Sequence, residues 1–430
     1  MPESESPAPF AGINVVEFGQ FIAVPFCAQL LAEGGANVIK VESLQGDPTR
    51  HIAQVAPMET RIFISRNQGK HSLPLNLRDP GARPVIDALL GWADVSLTNF
   101  RPGLAEQLGL DYPSLADRFP RLIVGSVTAF GDQGPDADLA GMDIVVQARS
   151  GLMAANGRMR DGRPASGDPL VADYMCAMSL AFGISSALLR RERTGRGGSI
   201  DTSLLQAAMT LANNQLIRVE DTDGPVHDKA LQTLAQQREA HVSFAEQAEA
   251  LPSARSSPML KVYFRTFATT DLDIAVACGS HRLRQNFMQA LELEDTALDS
   301  ISSRGQAEFE QHYLALQEEV ENKLRSQSSA FWVARLADYG VPVSQVKFPI
   351  ELFDDEHVEQ NGFLHTLDHP TVGGIRVVAP PVRIDGDGFA PVVPTAPFAT
   401  ETQALLLQLG FSEAEVESLL ARGVTVSEPG

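Results

Sequence analysis

The stretch 167-GDPLVADYMCAM-178 sets one carboxylate, Asp173, at the mouth of an apolar helical run with no basic residue near it in sequence. Two chemistries fit such a residue. An acidic group in the first turn of a helix satisfies exposed N–H groups and the dipole, whereas a partly desolvated carboxylate can serve as a nucleophile. A second carboxylate, Asp143 in 140-AGMDIVVQARSG-151, precedes an apolar strand or helix and by itself reads as a cap. Basic and amide groups gather in the polar turns QGDPTR (45–50), SRNQGKHS (65–72), LNLR (75–78) and NFRPG (99–103). There Arg50, Arg66, Lys70, Arg78 and Arg101 either cap helices or offer local positive charge to an anionic ligand. Other nucleophiles lack their usual surroundings. There is no GxSxG and no HExxH, and Cys176 lies one helical turn past Asp173, where a thiol behaves as a small hydrophobe. His227 and His241, 14 residues apart without a third ligand, read as surface residues, so no metal site is expected.

The elements that must carry these residues alternate. GINVVEF (12–18) predicts a strand, VPFCAQLLAEGG (24–35) a helix and ANVIKVE (36–42) a second strand. A helix near 80–92, a strand at 93–100, a helix ending before Tyr112 and a strand at 121–130 continue the pattern, which predicts a mostly parallel sheet covered by helices. No GxGxxG follows the first strand, so a dinucleotide site has little support. Two helices are expected next, one running through Arg191 and one over 200–219, separated by TGRGG. The polar stretch 219–258 reads as a linker, 259–348 as a small α+β domain, and 349–430 as a return to the large domain of 1–218.

Composition bounds the partners. With 44% hydrophobic and 20% charged residues over 430 positions, the chain is globular and long enough for two domains. Its formal charge of -20 argues against partners that need a broad basic face, nucleic acid and anionic lipid among them. Three separated cysteines suggest neither disulfides nor zinc, and the acidic start MPESESPAPF has no signal-peptide pattern, so a cytoplasmic protein is expected. The apolar window near 170–189 includes Asp173 and is read as a buried helix, not a membrane span.

Eight segments, taken in order, resemble the class III CoA-transferases, the family of formyl-CoA:oxalate and carnitine CoA-transferases and α-methylacyl-CoA racemases. They are GINVVEFGQFIAVPFCAQLLAEGGANVIKVE, NQGKHSLPLNLRDP, ADVSLTNFRPGLAEQLGLDY, PRLIVGSVTAFGDQGP, MDIVVQARSG, VADYMCAM, the run on through TGRGGSIDTSLLQAAM, and GVPVSQV. The resemblance implies a Rossmann-like large domain, a small α+β domain and an interlocked, ring-like homodimer. It implies coenzyme A as a substrate, together with acyl-CoA and small carboxylic acids, and no metal. It makes Asp173 the nucleophile and places CoA against Ile22, Ala23, Lys70, Leu75, Arg78, Asn99, Phe100, Arg101, Ala140, Met142 and Asp143. The chain departs from the family at Val24, where glycine is usual, and at Ser43 and Gln107, where some relatives are basic. The glycine-rich loop of formyl-CoA transferase has no counterpart near SSPMLKVY (256–263), and a GEHT-like segment reads ATET (399–402). The histidine that a racemase pairs with an aspartate falls on Met142, which carries no proton and so favours transfer over racemisation. A racemase, or a protein that binds acyl-CoA without catalysis, is the alternative.

Overall fold

The computed structural model describes residues 8–249, 251, 258–299, 306–385, 387–389 and 393–428. The acidic start up to residue 7, Ser256 and Ser257 of SSPMLKVY, and residues 390–392 of the Pro-rich crossing at 390–397 lie outside them. The chain divides into two compact units, Met1–Ile217 with Glu359–Gly430, and Arg218–Val358.

The first unit is built on a six-stranded sheet. From edge to edge its strands are Gly198–Ser203, Ile123–Thr128, Val95–Thr98, Asn14–Glu17, Asn37–Glu42 and Lys70–Pro74, and every neighbouring pair is parallel. Both faces are covered, as a parallel sheet requires. Val15 points into a cluster with Val24, Cys27, Leu180 and Ile184, while Val16, one residue on, joins Leu73, Val85, Leu89, Leu405, Leu406 and Val416. The C-terminal helices Thr402–Gln408 and Glu413–Ala421 therefore return to pack on the second face. Chain order runs outward from Asn14–Glu17 to one edge and then resumes on its other side at Val95–Thr98. The carboxyl ends of these two strands form a switch point, the place where open α/β sheets leave a crevice for a ligand.

Both edge strands depart from expectation. The strand Lys70–Pro74 takes up the end of the polar turn expected over 65–72, and Gly198–Ser203 takes up the end of the TGRGG turn and the start of the helix expected over 200–219, which occupies Leu204–Leu211. Each gains its backbone partners from a strand distant in sequence, which local periodicity does not report. The helix Val171–Thr194 crosses the sheet behind the second of these edges, and Gly183 permits the approach: a Cβ there would lie 2.7 Å from Ile200 Cγ2. By length and composition this helix could span a membrane. One side of it, through Ala172, Cys176, Ala177, Leu180 and Ile184, is core.

The second unit holds a three-stranded antiparallel sheet, Phe264–Ala268, Asp273–Ala277 and Val343–Gln345, packed by the helices His281–Leu291, Gln306–Leu324 and Ser329–Asp338. The polar stretch expected as a linker is helical over Glu220–Glu239 and Phe244–Glu249. Its first turn carries Glu220, Asp221 and Asp223, whose charges suit the positive end of a helix.

Candidate active site

Asp173 is the third residue of its helix and is 8% exposed. Its carboxylate is not the cap. Among the described residues it accepts no hydrogen bond and joins no ion pair, and the backbone N–H of Asp173 donates instead to Asp143 Oδ2 at 3.0 Å. Leu170, at the cap position, offers no side chain for that task, so a carboxylate from another helix does it. Asp143 opens the helix Asp143–Arg149, is buried, and accepts a second hydrogen bond from Gln147 Nε2 at its other oxygen. One carboxylate is thus spent on architecture and the other is left unengaged. Burial first, and the neighbouring Asp143 second, push Asp173 up to about 7, against the pull of the Arg66 guanidinium.

The surroundings fix where this head lies. Cys176 Sγ lies 3.8 Å from Thr202 Oγ1, near the carboxyl end of the edge strand, and burial pushes its thiol up to about 12, out of use as a nucleophile. Tyr174 packs edge-on to Phe26, with centroids 4.9 Å apart, in the first turns of the helix Ala23–Glu33, and its hydroxyl accepts from Arg66 Nε at 3.2 Å. At the switch point the backbone of Gln20 is held in both directions by one side chain: its N–H donates to Asn99 Oδ1 at 3.0 Å and its carbonyl accepts from Asn99 Nδ2 at 2.8 Å. Phe21 follows at φ 66, a conformation a bulky residue adopts only when its surroundings impose it.

The residues expected to hold CoA divide into groups. Ile22 and Ala23 are buried at the start of the first helix, Leu75 is buried just past the edge strand, and Phe100 lies against Phe18 with centroids 6.4 Å apart. Arg78 and Arg101 follow the carboxyl ends of their strands, are exposed and join no ion pair among the described residues. Ala140 is exposed, and Met142, 49% exposed, stands at the cap position immediately before Asp143. Lys70 differs. Its ammonium is buried and already has Glu17 Oε2 at 2.7 Å, Pro25 O at 2.7 Å, Asn67 Oδ1 at 2.9 Å and Arg66 O at 3.2 Å, which leaves no N–H for a phosphate. Arg50 is likewise closed, paired with Glu42 and Glu59.

Val24 does not line an opening either. It is fully buried, and its Cγ1 stands 2.2 Å from where a Cβ on Gly19 would be. Gly19→Ala is accordingly expected to lower the urea midpoint by the equivalent of about 1–3 kcal/mol, the usual cost of overpacking. Gly19→Ala combined with Val24→Gly is expected to recover most of it. A double variant no better than Gly19→Ala would show that the contact is not the cause.

Arg66 and Tyr174 are the groups that sequence reasoning did not assign to the site, although Arg66 stood in one of the basic turns and Tyr174 is the nucleophile candidate's own neighbour. No group of three or more His, Cys, Asp or Glu side chains able to hold a metal occurs among the described residues.

Comparison with known proteins gives this arrangement its class. The model for CoA-transferase family III matches residues 10–398. Acetyl-CoA:oxalate CoA-transferase of Acetobacter aceti is 30% identical over 400 residues, covering 93% of this chain and 95% of that protein. Cinnamoyl-CoA:phenyllactate CoA-transferase of Clostridium sporogenes is 26% identical over 420 residues, 95% of each. The crystal structure of a CaiB/BaiF family protein from Brucella suis superposes with a TM-score of 0.73 at 26% identity, covering 94% of this chain and 100% of that one. The chain belongs to CoA-transferase family III, and coenzyme A is accordingly a substrate and not a resident cofactor.

Proposed function

We propose that the enzyme moves CoA from an acyl-CoA to a free carboxylic acid with Asp173 as nucleophile. The observation that carries this is the buried Asp173 carboxylate, free of hydrogen bonds among the described residues, in the first turn of a helix where Asp143 accepts its backbone N–H. A carboxylate stripped of water and of donors is a stronger nucleophile than one in solution. Asp173 Oδ attacks the thioester carbonyl; the C–S bond breaks, CoA leaves as thiolate, and an aspartyl–acyl anhydride remains. The thiolate attacks the aspartyl carbonyl, releasing the donor acid and leaving an aspartyl-CoA thioester. The acceptor carboxylate attacks this thioester, forming a second anhydride and freeing the thiolate again. The thiolate then takes the acceptor acyl group and Asp173 returns as a carboxylate. Bonds of similar acyl energy are exchanged throughout, so no ATP is consumed.

Arg78 and Arg101, uncommitted at the carboxyl edge of the sheet, are the groups suited to the CoA phosphates, with Asn99 and the turn at Ile22–Ala23 shaping the crevice between them. A homodimer is part of the same reading. The outward face of the Asp173 helix exposes Met178, Phe182 and Leu189, and the Asp143 helix exposes Ile144 and Val145; apolar area of this extent on a chain of this charge calls for a covering partner.

Incubating the protein with a panel of acyl-CoAs and quenching with hydroxylamine is the test. A hydroxamate at Asp173, located by peptide mass, is the expected product, from a protein that sediments at twice 46.3 kDa. CoA transfer that persists undiminished in Asp173→Ala would sink the assignment.

A further inference from the structure

One buried carboxylate ties three neighbouring strands of the sheet to the turn that follows the first of them. Glu17, Lys40 and Lys70 stand on the strands Asn14–Glu17, Asn37–Glu42 and Lys70–Pro74, and all three are buried. Each ammonium takes one Glu17 oxygen at 2.7 Å and spends a second N–H on a backbone carbonyl of the turn. Lys40 Nζ donates to Gly19 O at 2.8 Å, and Lys70 Nζ donates to Pro25 O at 2.7 Å. The two grips bracket residues 19–25, the segment that leaves the switch point and contains Ile22 and Ala23.

Between the grips the turn has little of its own to keep its shape. Ile22, at the cap position of the helix with φ -129 and ψ -62, supplies no side-chain cap, and Phe21 stands at φ 66. The N–H groups of Phe21, Ile22, Ala23 and Val24 have no acceptor among the described residues. A bulky residue returns to negative φ unless its neighbours are fixed. Here the carbonyls fix them. A trans peptide is planar, so a carbonyl held in one direction turns the next N–H the opposite way. Gly19 O on Lys40 thereby turns the Gln20 N–H to Asn99 Oδ1, and Gln20 O on Asn99 Nδ2 turns the Phe21 N–H away from Asn99. Stability alone does not call for such a cluster, since apolar residues of the same volume often hold a fold as well as buried ions do. Directed donors to two carbonyls are what the ammonium groups add.

We infer that Lys40 and Lys70 are positioning residues, which grip the two ends of the turn 19–25 and hold it in the shape that the crevice needs to take up CoA. This rests on the reading of that crevice as the CoA site. Calorimetric titration of the whole protein with free CoA is the experiment, on the wild type, Lys40→Met, Lys70→Met and Asp47→Asn. Asp47 is the control: it meets the same Lys40 ammonium at 3.1 Å but bonds to none of residues 19–25 among the described residues. Each Met variant is expected to bind CoA about 10-fold more weakly or worse, as when the competent turn is populated about one tenth of the time. Stoichiometry should stay at the wild-type value. Asp47→Asn should lose melting temperature yet keep its Kd within about twofold. Hydrogen exchange gives a second reading at the Gln20 and Phe26 amides, whose acceptors are Asn99 Oδ1 and Ile22 O. Both should exchange faster in the Met variants than in Asp47→Asn. If Lys40→Met fails to fold, Lys70→Met carries the test, because Glu17 then keeps Lys40. A merely structural role predicts lower stoichiometry and melting temperature at an unchanged Kd, and that result, or an equal rise of Kd in Asp47→Asn, would overturn the inference. A wild type that binds no CoA would instead remove the crevice reading, and this role with it.

Discussion

Replacing Asp173 by Asn is expected to reduce CoA transfer by a factor of about 10^4 or more and, at pH 8, to make the protein more stable. The first effect follows from the proposed role of Asp173 as nucleophile, a loss that in enzymes with covalent intermediates commonly costs that much. The second follows from the residue's surroundings. At pH 8 Asp173 is charged, buried and, among the described residues, without a donor, and it faces Asp143, so the folded state holds it at a cost. Its pKa rises from an ordinary 3.8 to about 7 on folding, so between those values the native state binds more protons than the unfolded chain. Stability must therefore fall as pH rises through that window. At about 1.4 kcal/mol per pH unit the gap caps the cost near 4 kcal/mol. Asn removes it. The variant's lead in melting temperature should be absent near pH 4, grow toward pH 7 and stay constant above. In the wild type, kcat/KM should climb with pH to a plateau above about 7, since only the ionised carboxylate attacks. An Asp173→Asn protein that is less stable than wild type at pH 8 would mean the carboxylate is a structural group after all.

Glu17→Ala is expected to be the most destabilising single change near the site. Glu17 ends the first strand fully buried, with Lys40 Nζ 2.7 Å from one oxygen and Lys70 Nζ 2.7 Å from the other. Asp47, at 3.1 Å, also faces Lys40, but among the described residues Lys70 has no other carboxylate in contact. Removing one partner of a buried pair typically costs about 3–5 kcal/mol because the other charge is stranded. Lys70→Met should cost less, since Glu17 keeps Lys40. Urea denaturation of both variants checks the order. The pH response has a definite sign as well. Burial, against the pull of Glu17, already lowers Lys70 to about 8, below its ordinary 10.5. Without Glu17 it falls further, and the unfolded chain then binds the proton more tightly than the native state. Glu17→Ala should thus regain stability as pH is raised toward 10. A urea midpoint for Glu17→Ala equal to that of Lys70→Met would contradict the shared-carboxylate account.

These two residues mark how much was legible beforehand. Asp173 stood out in sequence as a charge heading an apolar helix, yet whether it capped the helix or served as a nucleophile was not decidable there. In the structure Asp143, 30 positions earlier, accepts the backbone N–H of Asp173, while the Asp173 carboxylate accepts no hydrogen bond among the described residues. Lys70 was expected to meet a ligand because it sits in a polar, glycine-containing turn; it belongs to an edge strand and turns inward to Glu17. The outer helix Glu220–Glu239 went unseen because its apolar spacing is weak and its turn-forming residues, Gly224 and Pro225, fall inside it.

What the sequence alone determined is the local and the periodic: the opening strand, helix and strand, the long apolar helix after Asp173, and the ordered segments that mark the family. Side chains repeating at intervals of two or near 3.6 carry that information within a short window of chain. The tertiary structure decided the rest. Both edge strands of the sheet take their hydrogen bonds from partners distant in sequence, Lys70 receives its charge partner from another strand, and the backbone N–H of Asp173 finds its acceptor on a second helix. Whether a polar group faces water, a ligand or another residue depends on which segments fold against it, and a linear pattern holds no record of that.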